Sequence, residues 1–498
     1  MRRPATLDYN FNVPKTSPQD LLQEFQPIFY PKSIAVVGAS HNVFKSGYHW
    51  FKSVVDAGFG GPIYPVNPHG GELLGYKVFP NLRSIPGEVD YVIVSIPREN
   101  VPELLDDAAA KKVKAIHFFT AGFSEAGDAL GLELEGVLIK KTREGGFRVI
   151  GPNCIGAFSV EARLPYGPAG RRHQPGSVSF ISQSGGVGEK LGELAVARGI
   201  NFNKGVSFGN GVDLDGPDFL EYFAVDPKTS IIGAYFEGTR NGRRLMKAIK
   251  EAARAKPLVI WKAGRTDVGA AAAMSHTGSI ASSPAIWSTI IRQSGAIEVH
   301  NVDELADMLL IFQLLPQPKS KLQGNGIAVV GGLSDGGGGI SVSASDACAE
   351  AGLNIPPLTK ETKQKLTNLI GHVGSILRNP VDLSQSGSNP DIIRQAAEIV
   401  LADPNIDLLI VQEDVGVLLK YLPIELARTL NNVFIELKAR QYKPLVLVLP
   451  HGTNEMERLE LERELAQASI PVFPSMERAA KAIRNFSQYW QRRPSAGS

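Results

Sequence analysis

The amino-acid sequence predicts an α/β protein built from three doubly wound domains. One pattern occurs three times, at 33–40, 177–186 and 326–339. In each case a short run rich in β-branched residues ends at small residues, and a helix-compatible stretch follows. Further short apolar runs alternate with helical stretches after each of these starts. Strict alternation predicts parallel sheets with right-handed crossovers, since parallel strands need a connecting segment. The 498 residues also suit about three domains of ordinary size.

The first predicted domain spans residues 25–160. After its start we expect four more strands, at 62–68, 91–97, 115–122 and 148–153. Two stretches between them are helix-compatible, 99–112 and 129–144. Short continuous apolar runs of this kind are typical of strands that are covered on both faces. Residues 1–24 contain no apolar core segment, and we expect them to form an N-terminal arm.

The second and third predicted domains span residues 161–316 and 327–487. After their starts, further strands are expected at 203–210, 231–238, 257–264, 407–412, 444–450 and 471–474. Residues 317–326 are rich in Pro, Lys, Gln and Gly, so we expect them to link the two domains. Residues 488–498 are expected to form a tail.

Composition and charge restrict the class of protein. The 52 basic and 50 acidic side chains leave a formal charge of +2, and basic residues cluster only in pairs. A nucleic-acid footprint would show as a concentrated basic stripe, so no nucleic-acid partner is expected. No apolar run is long enough for a membrane span, and the N-terminus is not a secretory signal. Cys154 and Cys348 lack metal-ligand spacing, so we expect no metal site and a reducing, cytoplasmic location.

The turn GASHNVFKSG, at 38–47, is a candidate nucleotide site. A dinucleotide site needs G-x-G-x-x-G and an acidic side chain near the end of the second strand. The sequence has neither, since that strand ends in Val66, Asn67 and Pro68, and NAD is therefore disfavoured. A phosphate-bearing nucleotide is reasonable, because the turn precedes a helix N-terminus and contains Lys45. The alternative is a purely structural turn, because one glycine turn is a weak signal.

Small polar residues also follow three other strands. SIP at 95–97 and TAG at 120–122 lie at the sheet edge where ligands bind in open α/β folds. SQSGG at 182–186 offers serine hydroxyls and glycine N–H groups at a helix start, without the lysine of a triphosphate loop. That composition suits a small anion such as phosphate. The alternative is a serine N-cap followed by close helix packing.

The segment around His276, AAAMSHTGSIA, predicts a long loop. It lies between the strand at 257–264 and a helix whose N-cap and first residue would be Ser283 and Pro284. Long loops in compact domains are usually functional. Histidine can act as a nucleophile, and a carboxylate such as Glu237, which ends a buried strand, can fix its tautomer. The residues alone also allow a plain alternative, an isolated histidine and a solvated strand-end charge.

Taken together, these pieces resemble the α subunit of nucleoside-diphosphate-forming (ADP-forming) acyl-CoA synthetases, the relatives of succinyl-CoA synthetase. The motifs, in chain order, are FYPKSIAVVGAS, YPVNPHGGELLGYKVFPNL, TAGFSEAG, IGPNCIG, ISQSGG, DGPDFLEYFAVDPKT, YFEGTRNGR and SHTGSIA. The resemblance runs from about residue 29 to about 310 and continues more weakly, with NPVDL at 379–383, through the third domain. It implies a Rossmann-like CoA-binding domain followed by two flavodoxin-like CoA-ligase domains.

The resemblance also implies a role for each candidate residue. His276 matches the histidine that is transiently phosphorylated, and Glu237 matches the glutamate that holds its imidazole. The helix start that receives the phosphoryl group is matched by Ser182, Ser184, Gly185 and Gly186. The CoA site would be formed by Gly38, Ser40, Lys45, Ser46, Gly47, Asn67, Pro68, Ser95, Pro97 and Thr120. In the family, acid, CoA and ATP interconvert with acyl-CoA, ADP and phosphate through an acyl phosphate and a phosphohistidine.

A partner is implied as well. Nothing in the sequence resembles the ATP-grasp domains that bind ATP, ADP and Mg in this family, so we expect a β subunit and an α2β2 assembly. The other substrate would be a small carboxylic acid. Succinate is not indicated, because GVGEK at 186–190 lacks the residues that lie near the acyl group in succinyl-CoA synthetase. The alternative function is a non-catalytic CoA- or acyl-CoA-binding protein without an ATP-grasp partner.

Overall fold

The chain divides into two compact units, each with α/β architecture. The computed structural model describes residues 17–167, 174–270, 284–317, 326–331, 338–371, 376–440 and 443–493. The first unit comprises the chain up to Glu193 together with Asn201–Leu305, and it contains two large sheets. The second unit comprises Leu194–Ile200 and the chain from Ala306, with one large sheet. The predicted fold class, three largely parallel sheets with helical connections, is confirmed.

The first sheet holds five parallel strands. They are β1 (Ile34–Val37), β2 (Ile63–Val66), β5 (Tyr91–Val94), β6 (Ala115–Phe118) and β7 (Arg148–Ile150), in the order β2–β1–β5–β6–β7. A small hairpin, β3 (Glu72–Leu73) with β4 (Tyr76–Lys77), follows β2. The connecting helices are α2 (Ser46–Asp56), α3 (Val101–Lys111) and α4 (Ala129–Gly145). Strand order reverses at β1, which pairs with both β2 and β5, so a ligand crevice is expected beyond its carboxyl end.

The first helix replaces part of the expected N-terminal arm. Helix α1 (Pro18–Phe29) buries an apolar face whose members lie three and four residues apart. Phe25 and Phe29 stack on Tyr222, with ring centroids 4.7 and 5.0 Å apart. The prediction of an arm over 1–24 is therefore wrong from Pro18 onward, because this face finds an aromatic surface elsewhere in the unit. The residues before Ser17 lie outside the described ranges.

The second sheet has six strands and one antiparallel edge. They are β8 (Gly156–Ser159), β9 (Val178–Ser182), β10 (Phe202–Ser207), β11 (Ile231–Phe236), β12 (Leu258–Lys262) and β13 (Ile297–Val299), in the order β13–β12–β11–β9–β10–β8. Its helices are α5 (Gly185–Arg198), α6 (Gly216–Val225), α7 (Gly242–Ala255), α8 (Pro284–Ser294) and α9 (Val302–Leu314). Strand β8 pairs antiparallel with β10 although the sequence places it in the first domain. A turn rather than a helix follows β8, so no parallel crossover is formed there.

The third sheet also has six strands. They are β14 (Ile327–Gly331), β15 (Ile376–Leu377), β16 (Val381–Asp382), β17 (Leu408–Gln412), β18 (Leu445–Val448) and β19 (Val472–Phe473), in the order β15–β16–β14–β17–β18–β19 with β15 antiparallel. Its helices are α10 (Gly338–Glu350), α11 (Lys360–Ile370), α12 (Pro390–Leu401), α13 (Val415–Tyr421), α14 (Ile424–Ala439), α15 (Glu455–Gln467) and α16 (Met476–Arg492). Most of the expected linker, residues 318–325, lies outside the described ranges.

The C-terminal tail is shorter than expected. Helix α16 continues through Arg492, and Tyr489 is buried with its ring centroid 5.1 Å from that of Phe312. The prediction of a tail from residue 488 is therefore wrong for the last turn of this helix, because an apolar contact holds it. Across the described residues, no helix is at once long enough and apolar enough to cross a membrane.

Candidate functional site

A cleft of about 1250 Å³ lies beyond the carboxyl ends of the first sheet. Every residue that the sequence assigns to CoA binding lines it, namely Gly38, Ser40, Lys45, Ser46, Gly47, Asn67, Pro68, Ser95, Pro97 and Thr120. The second sheet contributes the start of α5, with Ser184, Gly185 and Gly186. The structure thus brings two separately predicted groups of residues to one cavity.

Two glycines allow the end of β1, the start of α2 and the end of β5 to pack closely beside this cleft. Gly38 follows β1 with a φ of +92°, and a Cβ there would lie 2.2 Å from the carbonyl oxygen of Ser95. A Cβ at Gly47 would lie 1.9 Å from the carbonyl oxygen of Gly38. No other residue fits such contacts, so both glycines are required for the close approach of α2 to the strand ends.

Several polar side chains of the cleft are fixed by protein partners. The hydroxyls of Ser46 and Ser95 are 2.7 Å apart, and Thr120 Oγ1 donates to the carbonyl oxygen of Ile96 at 2.8 Å. Asn67 Nδ2 donates to the carbonyl oxygen of Ala39 at 2.8 Å. These bonds hold the strand ends in a defined shape, so the cleft is preformed rather than assembled by a ligand.

The mouth of the cleft carries an exposed cation and an exposed aromatic ring. Lys45 is the N-cap residue of α2 and is exposed. Phe44, which also lines the cleft, is 93% exposed. Phe44 was not predicted from the sequence, although a large aromatic residue in a polar glycine turn is a recognisable signal. An ammonium and an open ring face suit a ligand with phosphates and a planar base.

The SQSGG turn divides into a buried part and an accessible part. Ser182 is 1% exposed and does not line the cleft, and its hydroxyl donates to the carbonyl oxygen of Ser184 at 2.5 Å. Ser182, which the sequence assigned to phosphate binding, therefore stabilises the turn and is not in the cleft itself. Helix α5 begins at Gly185, so its first N–H groups lack intrahelical partners. Gly186 is exposed and a Cβ there would meet nothing within 4 Å, which leaves room for an anion.

Gln183 joins this turn to Glu237. Its Oε1 accepts hydrogen bonds from the backbone nitrogens of Glu237 and Gly238, at 2.8 and 3.0 Å. Glu237 is 6% exposed, and its Oε1 accepts from the hydroxyl of Tyr235 at 3.1 Å. Burial and the nearby Glu237 carboxylate raise the pKa of Tyr235 well above its ordinary value. Glu237 does not line the large cleft itself, whereas Gln183 does, so Gln183 is the physical connection between them.

A buried lysine lies on the other side of Glu237. Lys262, at the end of β12, donates from Nζ to the carbonyl oxygen of Glu237 at 2.8 Å. Its ammonium lies 5.2 Å from the ring centroid of Trp287, and burial lowers the pKa of Lys262 to about 8. His276, the second predicted catalytic residue, lies in 271–283, outside the described ranges. Helix α8 spans Pro284–Ser294, so the predicted helix is confirmed, and its predicted N-cap Ser283 lies outside the described ranges.

One further cleft residue was missed by sequence reasoning. Asn210, in the turn after β10, lines the cleft and is 6% exposed. Its Nδ2 donates to Glu125 Oε2 at 2.6 Å and to Glu135 Oε2 at 3.4 Å. Both glutamates belong to the first domain. The position of Asn210 is therefore set by contacts with residues distant in sequence, which the sequence alone does not reveal. Within the described residues, no cluster of three or more His, Cys, Asp or Glu side chains is placed to hold a metal ion.

Comparison with known proteins identifies the family. Residues 32–159 match the CoA binding domain, 175–312 the succinyl-CoA ligase like flavodoxin domain, and 330–496 the ligase-CoA domain. The chain is 35% identical over 467 residues to the α subunit of ADP-forming acetate–CoA ligase I of Pyrococcus furiosus, covering 92% of this chain and 96% of that one. The chain belongs to the family of ADP-forming acyl-CoA synthetase α subunits.

Other members of this family differ in substrate and in length. The 4-hydroxybutyrate–CoA ligase (ADP-forming) of Nitrosopumilus maritimus is 30% identical, with 92% of this chain aligned to 63% of that one. Among solved structures, the dinucleotide-forming acetyl-coenzyme A synthetase 1 of Ca. Korarchaeum cryptofilum, in complex with phosphate and ADP, aligns with a TM-score of 0.80 and 31% identity. That alignment covers 94% of this chain and 97% of the other. The family resemblance predicted from the ordered motifs is confirmed.

Proposed function

We propose that this chain is the catalytic α subunit of an ADP-forming acyl-CoA synthetase that works through a phosphohistidine. The observation that carries the proposal is the shared cleft, where the residues assigned to CoA meet the N-terminus of α5. Gln183 lines that cleft and accepts a hydrogen bond from the backbone nitrogen of Glu237. The side chain of Gln183 therefore connects the cleft to Glu237. A protein that only binds CoA would need neither α5's anion site nor Glu237.

The first domain is the site for CoA in this proposal. Lys45 and Phe44 at the mouth would meet the phosphates and the adenine ring, and the strand ends around Ser95 and Thr120 would hold the pantetheine arm. The cleft fits this group on structural grounds, because polar side chains and a helix N-terminus both line it.

The chemistry proceeds by two displacements. A carboxylate oxygen of the acid attacks the phosphorus of phosphorylated His276, and the P–N bond breaks to leave a neutral imidazole and an acyl phosphate. The CoA sulfur then attacks the acyl carbon, the C–O bond to phosphate breaks, and the leaving phosphate takes up the thiol proton, which releases inorganic phosphate and the thioester. The N–H groups at Gly185 and Gly186 hold the phosphoryl oxygens, and Glu237 orients His276.

The nucleotide belongs to a second component. We place ATP, ADP and Mg on an ATP-grasp β subunit, which phosphorylates His276, in an α2β2 assembly. The relatives named as α subunits support the existence of a partner subunit. The acid is a small carboxylic acid, as the names of the relatives suggest. We place the enzyme in the cytoplasm, consistent with two free cysteines, Cys154 and Cys348, that are buried.

The proposal is tested by assaying the chain together with its ATP-grasp subunit. Acetate, 4-hydroxybutyrate and succinate are each supplied with CoA and ATP, and acyl-CoA, ADP and AMP are quantified. We expect acyl-CoA with an equal amount of ADP for a monocarboxylate, and none when Glu237→Gln replaces the wild type. Formation of AMP, or CoA binding without turnover on any acid, would overturn the proposal in favour of a different ligase or a pure CoA-binding protein.

A further inference from the structure

Asn210 stands out among the cleft residues because of how it is held. It lies at the tip of a tight turn in which Gly209 and Gly211 both have positive φ, at +54° and +58°. Its backbone nitrogen donates to the carbonyl oxygen of Pro152 at 3.0 Å. A Cβ at Gly209 would lie 2.3 Å from the same oxygen, so the turn is pressed against the IGPN segment. The side chain of Asn210 is therefore delivered to a fixed point on the cleft wall.

The orientation of its amide is also fixed. Nδ2 donates to two carboxylates, those of Glu125 and Glu135, and ionised carboxylates only accept hydrogen bonds. Glu135 is fully buried and is held in turn by Arg240 Nη2 at 3.0 Å and by the hydroxyl of Ser124 at 2.5 Å. The nitrogen thus faces the first domain, and a flipped amide would place its oxygen against two anions.

With Nδ2 bonded to the two carboxylates, Oδ1 is the polar side-chain atom of Asn210 that is left for a ligand in the cleft. No described residue donates a hydrogen bond to Asn210 Oδ1, although the residue is 6% exposed. The oxygen is not itself fully buried, so a ligand in the cleft can reach it and donate a hydrogen bond to it. Gln183 and Asn153 line the cleft together with Asn210, and Gln183 stands two residues before the start of α5. An oriented acceptor at this place selects a ligand group that donates.

The ligands of the proposed reaction differ in this respect. Phosphate, the acyl phosphate and the carboxylate of the acid present mainly acceptors near neutral pH. The thiol end of CoA presents donors, an S–H and the terminal pantetheine amide N–H. Resting on the proposed function, we propose that Asn210 Oδ1 accepts a hydrogen bond from one of these two donors and positions the CoA thiol beside the start of α5. Asn210 is then a substrate-binding residue of the thioester step and takes no part in phosphorylation.

The test separates the two steps. Asn210→Ala and Asn210→Ser are compared with the wild type for CoA binding by calorimetry and for phosphoryl transfer from ATP, through the ATP-grasp subunit, without CoA. We expect CoA affinity to fall about tenfold for Asn210→Ala, since one hydrogen bond to a buried group is lost, while phosphoryl labelling is unchanged. Asn210→Ser keeps a donor for Glu125 and guards against a folding defect. Ser124→Ala, which removes a different bond to Glu135, is the matched control and should bind CoA normally.

Desulfo-CoA distinguishes the two donors. If the S–H is the donor, wild-type protein binds desulfo-CoA as weakly as Asn210→Ala binds CoA. If the amide N–H is the donor, the tenfold gap between wild type and Asn210→Ala persists with desulfo-CoA. Wild-type affinity for CoA in both folded Asn210 variants would overturn the inference while leaving the proposed function intact. If the wild-type protein is neither phosphorylated nor able to bind CoA, the proposed function itself is overturned.

Discussion

The side-chain oxygen of Gln183 accepts a hydrogen bond from the backbone nitrogen of Glu237, 2.8 Å away. A second bond, from the nitrogen of Gly238 at 3.0 Å, fixes the same oxygen. The SQSGG turn and the end of β11 are therefore tied together, which gives the backbone of Glu237 a defined position relative to α5. This relationship makes Gln183 a positioning residue of the proposed phosphoryl site.

Removing that acceptor should slow phosphoryl transfer. Gln183→Leu leaves two buried N–H groups without an acceptor, so we expect the rate of phosphoryl labelling to fall about tenfold or more. Gln183→Glu keeps an oxygen in the same place and should retain a larger share of the rate. Single-turnover labelling with the ATP-grasp subunit measures both. Equal rates in all three proteins would show that the Gln183 bonds do not position Glu237.

The exposed ring at the mouth of the cleft should contribute to CoA binding. Phe44→Ala removes a ring that is 93% exposed, so folding stability should change little. We expect the Kd for CoA to rise about five- to tenfold, as for loss of one stacking contact. Pantetheine, which lacks the adenine nucleotide, should bind wild type and variant equally. An unchanged Kd for CoA would place the adenine elsewhere.

His117 should make the first domain sensitive to acid. It is buried, its Nε2 lies 3.0 Å from the carbonyl oxygen of Cys154, and burial lowers the pKa of His117 from 6.5 to about 4. The unfolded state binds more protons between these values, so stability is lost as pH falls through them. Between about pH 8 and about pH 5, this titration lowers the free energy of unfolding by about 2 kcal/mol.

Hydrogen exchange of the β6 amides measures this effect. The opening free energy of the wild type should fall between those two pH values by more than that of His117→Asn, which cannot titrate. The two proteins should converge toward low pH. Parallel curves for the two proteins would show that His117 is not the titrating group.

The helix that replaces the expected arm should be important for stability. Phe25 is 1% exposed and stacks on Tyr222, so Phe25→Ala should destabilise the first unit by about 3 kcal/mol. Gln26→Ala, on the exposed side of the same helix, should change stability by less than about 0.5 kcal/mol. Urea unfolding followed by circular dichroism compares them. Equal midpoints would mean that α1 contributes nothing to the core.

Local pattern was sufficient for much of the fold, and tertiary contact decided the rest. Runs such as SIAVVGAS showed where the central strands begin, because a buried parallel strand has a continuous apolar signature. Strand β8 and helix α1 were not recognised, since each is stabilised by a partner distant in sequence, β10 and Tyr222 respectively.

The candidate site shows the same division. Ordered motifs identified part of the cleft lining, the residues assigned to CoA and the start of α5, because these motifs stand at strand ends and helix starts. Gln183 and Asn210 were not predicted, although Gln183 lies inside the ISQSGG motif. Their importance comes from Glu237, Glu125 and Glu135, and no spacing along the chain reveals those contacts.

In the proposed reaction, His276 carries the phosphoryl group from the nucleotide to the carboxylic acid. The direct measurement is incubation with its ATP-grasp subunit and γ-labelled ATP, followed by mapping of the label and its chemical stability. We expect one labelled histidine, His276, with a label that is lost in acid, kept in base and discharged by carboxylic acid and CoA. A label that persists in His276→Ala would contradict the proposed role of His276. So would a label that no carboxylic acid substrate discharges in the presence of CoA.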